Sequence, residues 1–271
     1  MNRPLIARDA LPAASRHGSG KQAANARLRQ FARGETVYEP GMAEFVGYVV
    51  SGAVKLVTLL PDGRSNIVGV IEAPGFFGRI FGVATEFSIE AATDVVLACF
   101  DRSTFEAQLY TDPELERFIH MENLHQLDEA HERIIVLACQ SIMERLATFM
   151  VLKLLASDEE RGPRTPIIHV PINRRDFAAY LGTTVETVSR SIQALVRRGT
   201  IAVIDSANFR VLRRRDLIEI AGQDEDNLIE MVRSRGSKRM GREFFGATGG
   251  ANGEYGATDA DRAAAMRISA E

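Results

Sequence analysis

Only two cysteines, Cys99 and Cys139, occur in the 271 residues, 40 positions apart. So sparse a set excludes a disulfide framework. It also leaves an all-cysteine iron–sulfur cluster or a structural zinc site short of the about four ligands each needs. No apolar run approaches the ~18 residues of a membrane span; VVLACF and FMVLKLLA are too short, so a cytoplasmic protein is expected. The first 30 residues carry six Lys/Arg and one acid, Asp9, without the apolar centre of a signal peptide. They read as a flexible basic tail, with an organelle transit peptide as the alternative. No histidine lies between His17 and His120, so that long span offers no histidine to a metal.

The charge that is present is partitioned. Residues 31–139 hold 17 acids against 7 bases, whereas residues 140–222 hold 13 bases against 9 acids. A pI near 6.0 hides this split, and a basic C-terminal segment on an acidic body points to nucleic acid. From Glu39, turn signals recur at EPGM (39–42), SG (51–52), PDG (61–63) and APG (73–75), separating short Val/Ile/Leu-rich runs. That rhythm predicts an all-β sandwich or jelly roll over residues 31–111.

Asp112-Pro113 then opens a long helix, and neither Pro nor Gly follows until Gly162. His120, Leu124, Leu127, His131 and Ile134 recur at alternating steps of four and three, a heptad-like seam suited to a partner helix. Leu115, Phe118 and Ile119 offer the same helix a way to pack on its own barrel, and both uses are compatible. The helix is expected to break near Cys139–Ser141, with a second helix following. Beyond Gly222 periodicity fades, and residues 223–271 read as a mostly disordered tail. Its glycine cluster lacks GK[ST], which excludes a phosphate-binding loop.

The stretch from Asn173 to Gly199 is the most informative. Asn173 is a good N-cap for a short helix that ends at Gly182, and Thr184 caps a second helix that Gly199 stops. Helix, tight turn and helix make a helix-turn-helix. In the second helix Val188, Ile192 and Leu195 form an apolar stripe for the core. Val185, Glu186, Ser189 and Arg190 share another face at the N-terminal end, the part of a recognition helix that enters the major groove. Arg190 suits guanine O6/N7, Glu186 the N4 of cytosine, Ser189 a base edge and Val185 a thymine methyl. Arg174, Arg175, Thr184 and Thr187 are placed for phosphate. A routine surface pair of Glu186 and Arg190 is the plainer alternative. The hairpin-like IAVIDSANFRVL and the run Arg213-Arg214-Arg215 that follow favour a winged DNA-binding domain.

On these residues, above all RRDFAAYLGTTVETVSRSI with its E-x-x-S-R core, the chain resembles the CRP/FNR superfamily of transcription regulators and its FNR/FixK branch. The resemblance covers about residues 31–222. It implies an α+β chain with three parts. These are an N-terminal β-roll sensor domain of the cyclic-nucleotide-binding kind (31–111), a dimerisation helix (112–138) and a C-terminal winged helix-turn-helix (139–222). It further implies a homodimeric regulator, activator or repressor, that reads a TTGAT-N4-ATCAA-like palindrome and works with RNA polymerase, and not an enzyme. A jelly-roll enzyme with a basic accessory domain is the contrasting class. It lacks a histidine cluster, a nucleophile motif and a phosphate loop.

For sensing, the resemblance places effector-pocket candidates at Gly78, Arg79 and Ser88. Arg79 stands where the cyclic-nucleotide family has a Glu, and no Arg occurs near Ser88–Glu90 for the phosphate. The iron–sulfur cysteines of the oxygen-sensing relatives are missing. No cofactor and no metal are expected; a haem- or small-molecule-gated sensor of the same fold is the alternative. Cys139, near the hinge, is either packed or a redox switch.

Overall fold

The computed structural model describes residues 26–222 apart from 42–43, 62, 64, 83–85 and 159–165, and beyond them 226, 228 and 229. Eight strands come first: β1 (Arg27–Phe31), β2 (Thr36–Tyr38), β3 (Phe45–Ser51), β4 (Ala53–Leu59), β5 (Ser65–Glu72), β6 (Gly75–Phe77), β7 (Ser88–Ala91) and β8 (Val95–Asp101). They form two four-stranded sheets, ordered β1-β8-β3-β6 and β2-β7-β4-β5. Alternation builds them: in β7, Ile89 and Ala91 are buried while Ser88 and Glu90 are half-buried on the other face. The expected jelly roll is present. β1 pairs with β8 from Arg27 onward, so the barrel begins before residue 31 and residues 27–30 are not tail.

The barrel interior is filled by apolar side chains, among them Val49, Val54, Ile71, Phe77, Ile89 and Leu97. Phe77 lies over Gly47, where a Cβ would come within 2.2 Å of its ring. Tyr38, Phe45 and Phe77 meet edge to face, with centroids 5.1 and 6.3 Å apart.

Helix α1 (Arg102–Leu109), which the sequence pattern did not indicate, is capped by Asp101. The Thr104 N–H, with the Ser103 and Thr104 hydroxyls, draws the Asp101 carboxyl down to about 2. Helix α2 (Pro113–Ala138) starts as expected, Asp112 accepting from the N–H groups of Glu114 and Leu115. Its Leu115, Phe118 and Ile119 are buried against the barrel with α1. Farther along, Gln126 donates to the Phe76 carbonyl at 2.7 Å and Glu122 accepts from the Phe76 N–H at 3.2 Å. The opposite face of α2 stays bare: Leu124, Leu127 and Ile134 are 54%, 49% and 63% exposed, and His120 and His131 are exposed beside them.

Cys139 ends α2 in an extended conformation, and a capping box restarts the chain. Ser141 accepts from the Glu144 N–H while Glu144 accepts from those of Gln140 and Ser141. There follow α3 (Ile142–Asp158), β9 (Ile167–His169), α4 (Arg174–Tyr180), α5 (Val185–Arg197), β10 (Ile201–Val203), β11 (Asn208–Val211) and α6 (Arg214–Ala221). The three strands form a sheet ordered β10-β11-β9. Their common core includes Leu146, Met150, Phe177, Val188, Leu195 and Phe209.

That core crosses two expected boundaries. Ala53 and Ala92 of the barrel belong to it, with Val70 of β5 packed alongside, so the domains share an apolar seat. Leu228 also belongs to it at 1% exposure, so the C-terminal domain does not end at residue 222. Apart from residues 226, 228 and 229, the 223–271 segment expected to be a tail lies outside the described residues, as do residues 1–25 and most of the loop after α3.

Replacing Phe77 with Ala removes the ring that fills the barrel. The expected loss is about 3–5 kcal/mol in the unfolding transition of the barrel, read by urea denaturation.

Candidate nucleic-acid interface

Local chemistry explains why α4, the turn and α5 take their shapes. Asn173 Oδ1 accepts from the Asp176 N–H at 2.8 Å and opens α4. At the other end Gly182 takes a φ of 67°, a left-handed conformation that a Cβ would strain. This lets Thr183 N–H reach the Ala178 carbonyl at 2.9 Å and Gly182 N–H reach that of Ala179 at 3.3 Å. The Thr184 hydroxyl then accepts from Thr187 N–H at 3.3 Å to open α5. Helix α5 buries Val188, Ile192 and Leu195 as the pattern indicates, and Ser191 with them. The β10–β11 hairpin makes the wing, closed by Asp205 accepting from Ala207 and Asn208 N–H groups at 2.8 and 2.9 Å.

Glu186 and Arg190 are exposed in the N-terminal half of α5. Glu186's own N–H and the Thr184 hydroxyl hold its carboxyl below the ordinary range, with a smaller pull from Arg190. At neutral pH it is therefore an acceptor only. Ser189 is half-buried, and so is Val185, which packs partly on the domain core and offers a groove only part of its surface.

Of the residues expected at phosphate, Arg175 and Thr184 are exposed. Thr187 is half-buried and shares a 3.0 Å hydrogen bond with Thr184. Arg174 is the departure: its guanidinium sits 4.9 Å above the Phe209 ring, half-buried, and burial pulls its pKa down. It is tied to the wing strand β11 rather than free at the surface.

Sequence reasoning missed the groups that hold α4. A helix leaves its last carbonyls without partners inside the helix, and those of Tyr180 and Leu181 are met by arginines from two other helices. Arg133 of α2 donates to the Tyr180 carbonyl and to the Val68 carbonyl of β5, both at 3.4 Å, and stacks 5.0 Å from the Tyr180 ring. Arg145 of α3 donates to the Leu181 carbonyl at 3.2 Å and to that of Cys139 at 3.1 Å. In the first turn of α4, Asp176 pairs at 2.9 Å with Lys55 of β4, which also meets Glu90 of β7 at 3.1 Å. Lys153 of α3 pairs with Glu72 of β5. Burial alone would lower the Lys153 pKa, but Glu72, then Glu129 and Tyr180, carry it above the ordinary lysine range. Single charges at these spacings carry no motif, so no signal in the sequence marks them.

The effector-pocket candidates take different local environments. Gly78 packs against Val46, Arg79 is exposed, and Ser88 donates to the Val57 carbonyl at 3.2 Å between strands. A shallow groove lies elsewhere, where β5 and β6 meet α2, lined by Ile71, Glu72, Phe76, Glu122, His125 and Glu129. Cys139 is buried, its sulfur 3.4 Å from the Ile135 carbonyl and from the Thr148 hydroxyl. Burial pushes the Cys99 thiol up to about 11. Among the described residues no group of three or more His, Cys, Asp or Glu could hold a metal, and no helix is long and apolar enough to cross a membrane.

Comparison with known proteins agrees with this geometry. The family model for the cyclic nucleotide-binding domain matches residues 28–112, and that for the Crp-like helix-turn-helix domain matches residues 144–220. The transcriptional activator protein FnrL of Cereibacter sphaeroides is 32% identical over 204 residues, 73% of this chain and 82% of its own. The nitrogen fixation regulation protein FixK of Bradyrhizobium diazoefficiens is 34% identical over 182 residues, 66% of this chain and 75% of its own. The solved structure of FixK2 from Bradyrhizobium japonicum superposes with a TM-score of 0.64 at 29% identity, covering 73% of this chain and 98% of that one. With a β-roll, a long helix and a winged helix-turn-helix in the same order, the chain belongs to the CRP/FNR family of DNA-binding transcription regulators, in its FixK branch, and not to a family of enzymes.

Proposed function

We propose that the protein is a homodimeric transcription activator that reads a TTGAT-N4-ATCAA-like palindrome and engages RNA polymerase from the bound site. The observation that carries this reading is the exposed pair Glu186 and Arg190 at the start of α5. A carboxylate that only accepts and a guanidinium that only donates match cytosine N4 and guanine O6/N7 on adjacent base pairs. Ser189 adds a hydroxyl for a base edge, and the exposed part of Val185 meets a thymine methyl. Arg175 and Thr184 contact phosphate and set register; Arg174 and Thr187 contribute from half-buried positions.

Dimerisation is supported by the bare stripe on α2. Three large apolar side chains in heptad register, each about half exposed or more, form a seam that a second copy of the helix would cover. On this reading a two-fold axis along that seam would present the two recognition helices to half-sites about one helical turn of DNA apart. Activation is what the name of FnrL records for that relative.

The β-roll works here without cyclic AMP, haem or an iron–sulfur cluster. An aromatic cluster of Tyr38, Phe45 and Phe77 occupies its interior. The groove against α2 carries three carboxylates, Glu72, Glu122 and Glu129, which repel an anionic phosphate. Cys139 acts as a packed side chain, since an oxidant reaches its sulfur only if the α2–α3 junction opens.

In moderate salt the purified protein binds a TTGAT-N4-ATCAA duplex more tightly than a scrambled one in gel shifts; equal binding refutes the target. Arg190→Ala weakens the cognate complex by about 1–3 kcal/mol and relaxes discrimination at the guanine. Arg175→Ala instead weakens all duplexes alike and lowers the salt slope by roughly two for the dimer, about 0.9 for each lost phosphate contact. Leu124→Glu with Leu127→Glu converts the dimer to a monomer in sedimentation velocity and abolishes binding to the palindrome. A dimer that survives both charges moves the interface elsewhere.

A further inference from the structure

Within that dimeric, DNA-reading function, on which the inference rests, we infer that Arg133 and Lys55 are positioning residues. They set the separation of the two recognition helices, and with it the spacer between half-sites that the protein accepts.

A palindrome is read with a preferred spacer only if each helix-turn-helix is rigid with respect to the dimer axis. The covalent link to that axis is short: α2 carries the seam, and only Cys139, Gln140 and Ser141 separate it from α3. What fixes the angle of α4 is a set of contacts at its two ends. At its N-terminal end, Asp176 is held by Lys55, whose side chain is only 11% exposed and whose second partner, Glu90, belongs to the barrel. At its C-terminal end, Arg133 spans the Tyr180 carbonyl of α4 and the Val68 carbonyl of β5.

Arg133 stands on α2 between the seam residues His131 and Ile134 but turns to the half-buried side. One guanidinium therefore joins dimer helix, barrel and reading head. A planar fork can serve two carbonyls at once and stack on Tyr180; the point charge of a lysine cannot. Because the turn after α4 is closed by backbone hydrogen bonds and a left-handed Gly182, α5 follows the direction of α4. Neither Arg133 nor Lys55 is among the residues placed at the DNA.

Loosening these joints lets each head sample several orientations. Affinity for the best spacer falls by the fraction of molecules in that arrangement, while other spacers gain. Arg133→Lys and Lys55→Met are each expected to weaken binding to the N4 palindrome about 2- to 30-fold, the range of such coupling effects. The preference for N4 over N3 and N5 spacers should flatten, while a duplex carrying one TTGAT half-site is bound as by the wild type.

The test is a gel-shift series over N3 to N6 spacers and the single half-site, with thermal melts of each variant. Three results overturn the inference: an unchanged N4 preference in the folded variants, a proportional loss on every duplex including the half-site, or tighter binding to N4. Lys55→Met lies in the barrel, outside the helix-turn-helix core, so an unchanged preference in it alone refutes the joint even where Arg133→Lys melts early. A wild-type protein that ignores TTGAT refutes the target instead. The spacer series is then run on the half-site that the wild type selects from random duplexes.

Discussion

Backbone carbonyls at the end of a helix must find donors, and the end of α4 lies where the barrel, the long helix and the reading head converge. Two of its carbonyls are met within the turn itself, by the N–H groups of Gly182 and Thr183. The next two, of Tyr180 and Leu181, are met by Arg133 and Arg145. The hydrogen bonds that complete this short helix thus also fasten it to α2, α3 and β5. The direction of the recognition helix depends on them, since α5 begins only a few residues later.

The charged contacts beside this junction give geometry more than stability. An ion pair taken partly out of water gives back in attraction much of what it loses in solvation. Its angular demands, however, are met in one arrangement of the two bodies and not in neighbouring ones. Lys55 between Glu90 and Asp176, and Lys153 on Glu72, frame an apolar seat made by Ala53, Ala92 and Val70. Small side chains let the barrel and the C-terminal core approach closely, and the charges select the orientation in which they do so.

Much of this was legible in the chain. The short Val/Ile/Leu-rich runs between Gly/Pro turns mark the jelly roll because such runs suit short half-buried strands, and the seam on α2 follows from heptad spacing. The caps at Asn173 and Thr184 and the glycines at 182 and 199 locate the helix-turn-helix because those residues have specific backbone roles. Edges were less legible. β1 reaches back to Arg27, where Arg27, Leu28 and Arg29 are all exposed and carry no alternation. Leu228 joins the core from a stretch without periodicity. Arg174 reads as a free surface arginine until Phe209, 35 residues away, is seen beneath it.

The local alphabet of the sequence therefore determined the elements, their order and the residue types at the start of α5. Each of these rests on interactions within a few positions of the chain. Only the tertiary structure decided which side chains remain available and which are engaged. Arg174 is stacked and Val185 is half-covered, while Arg133, Arg145 and Lys55 become joints. Those outcomes arise from contacts between residues far apart in sequence, and a lone arginine or lysine looks the same from the chain whether it faces water, DNA or the end of another helix.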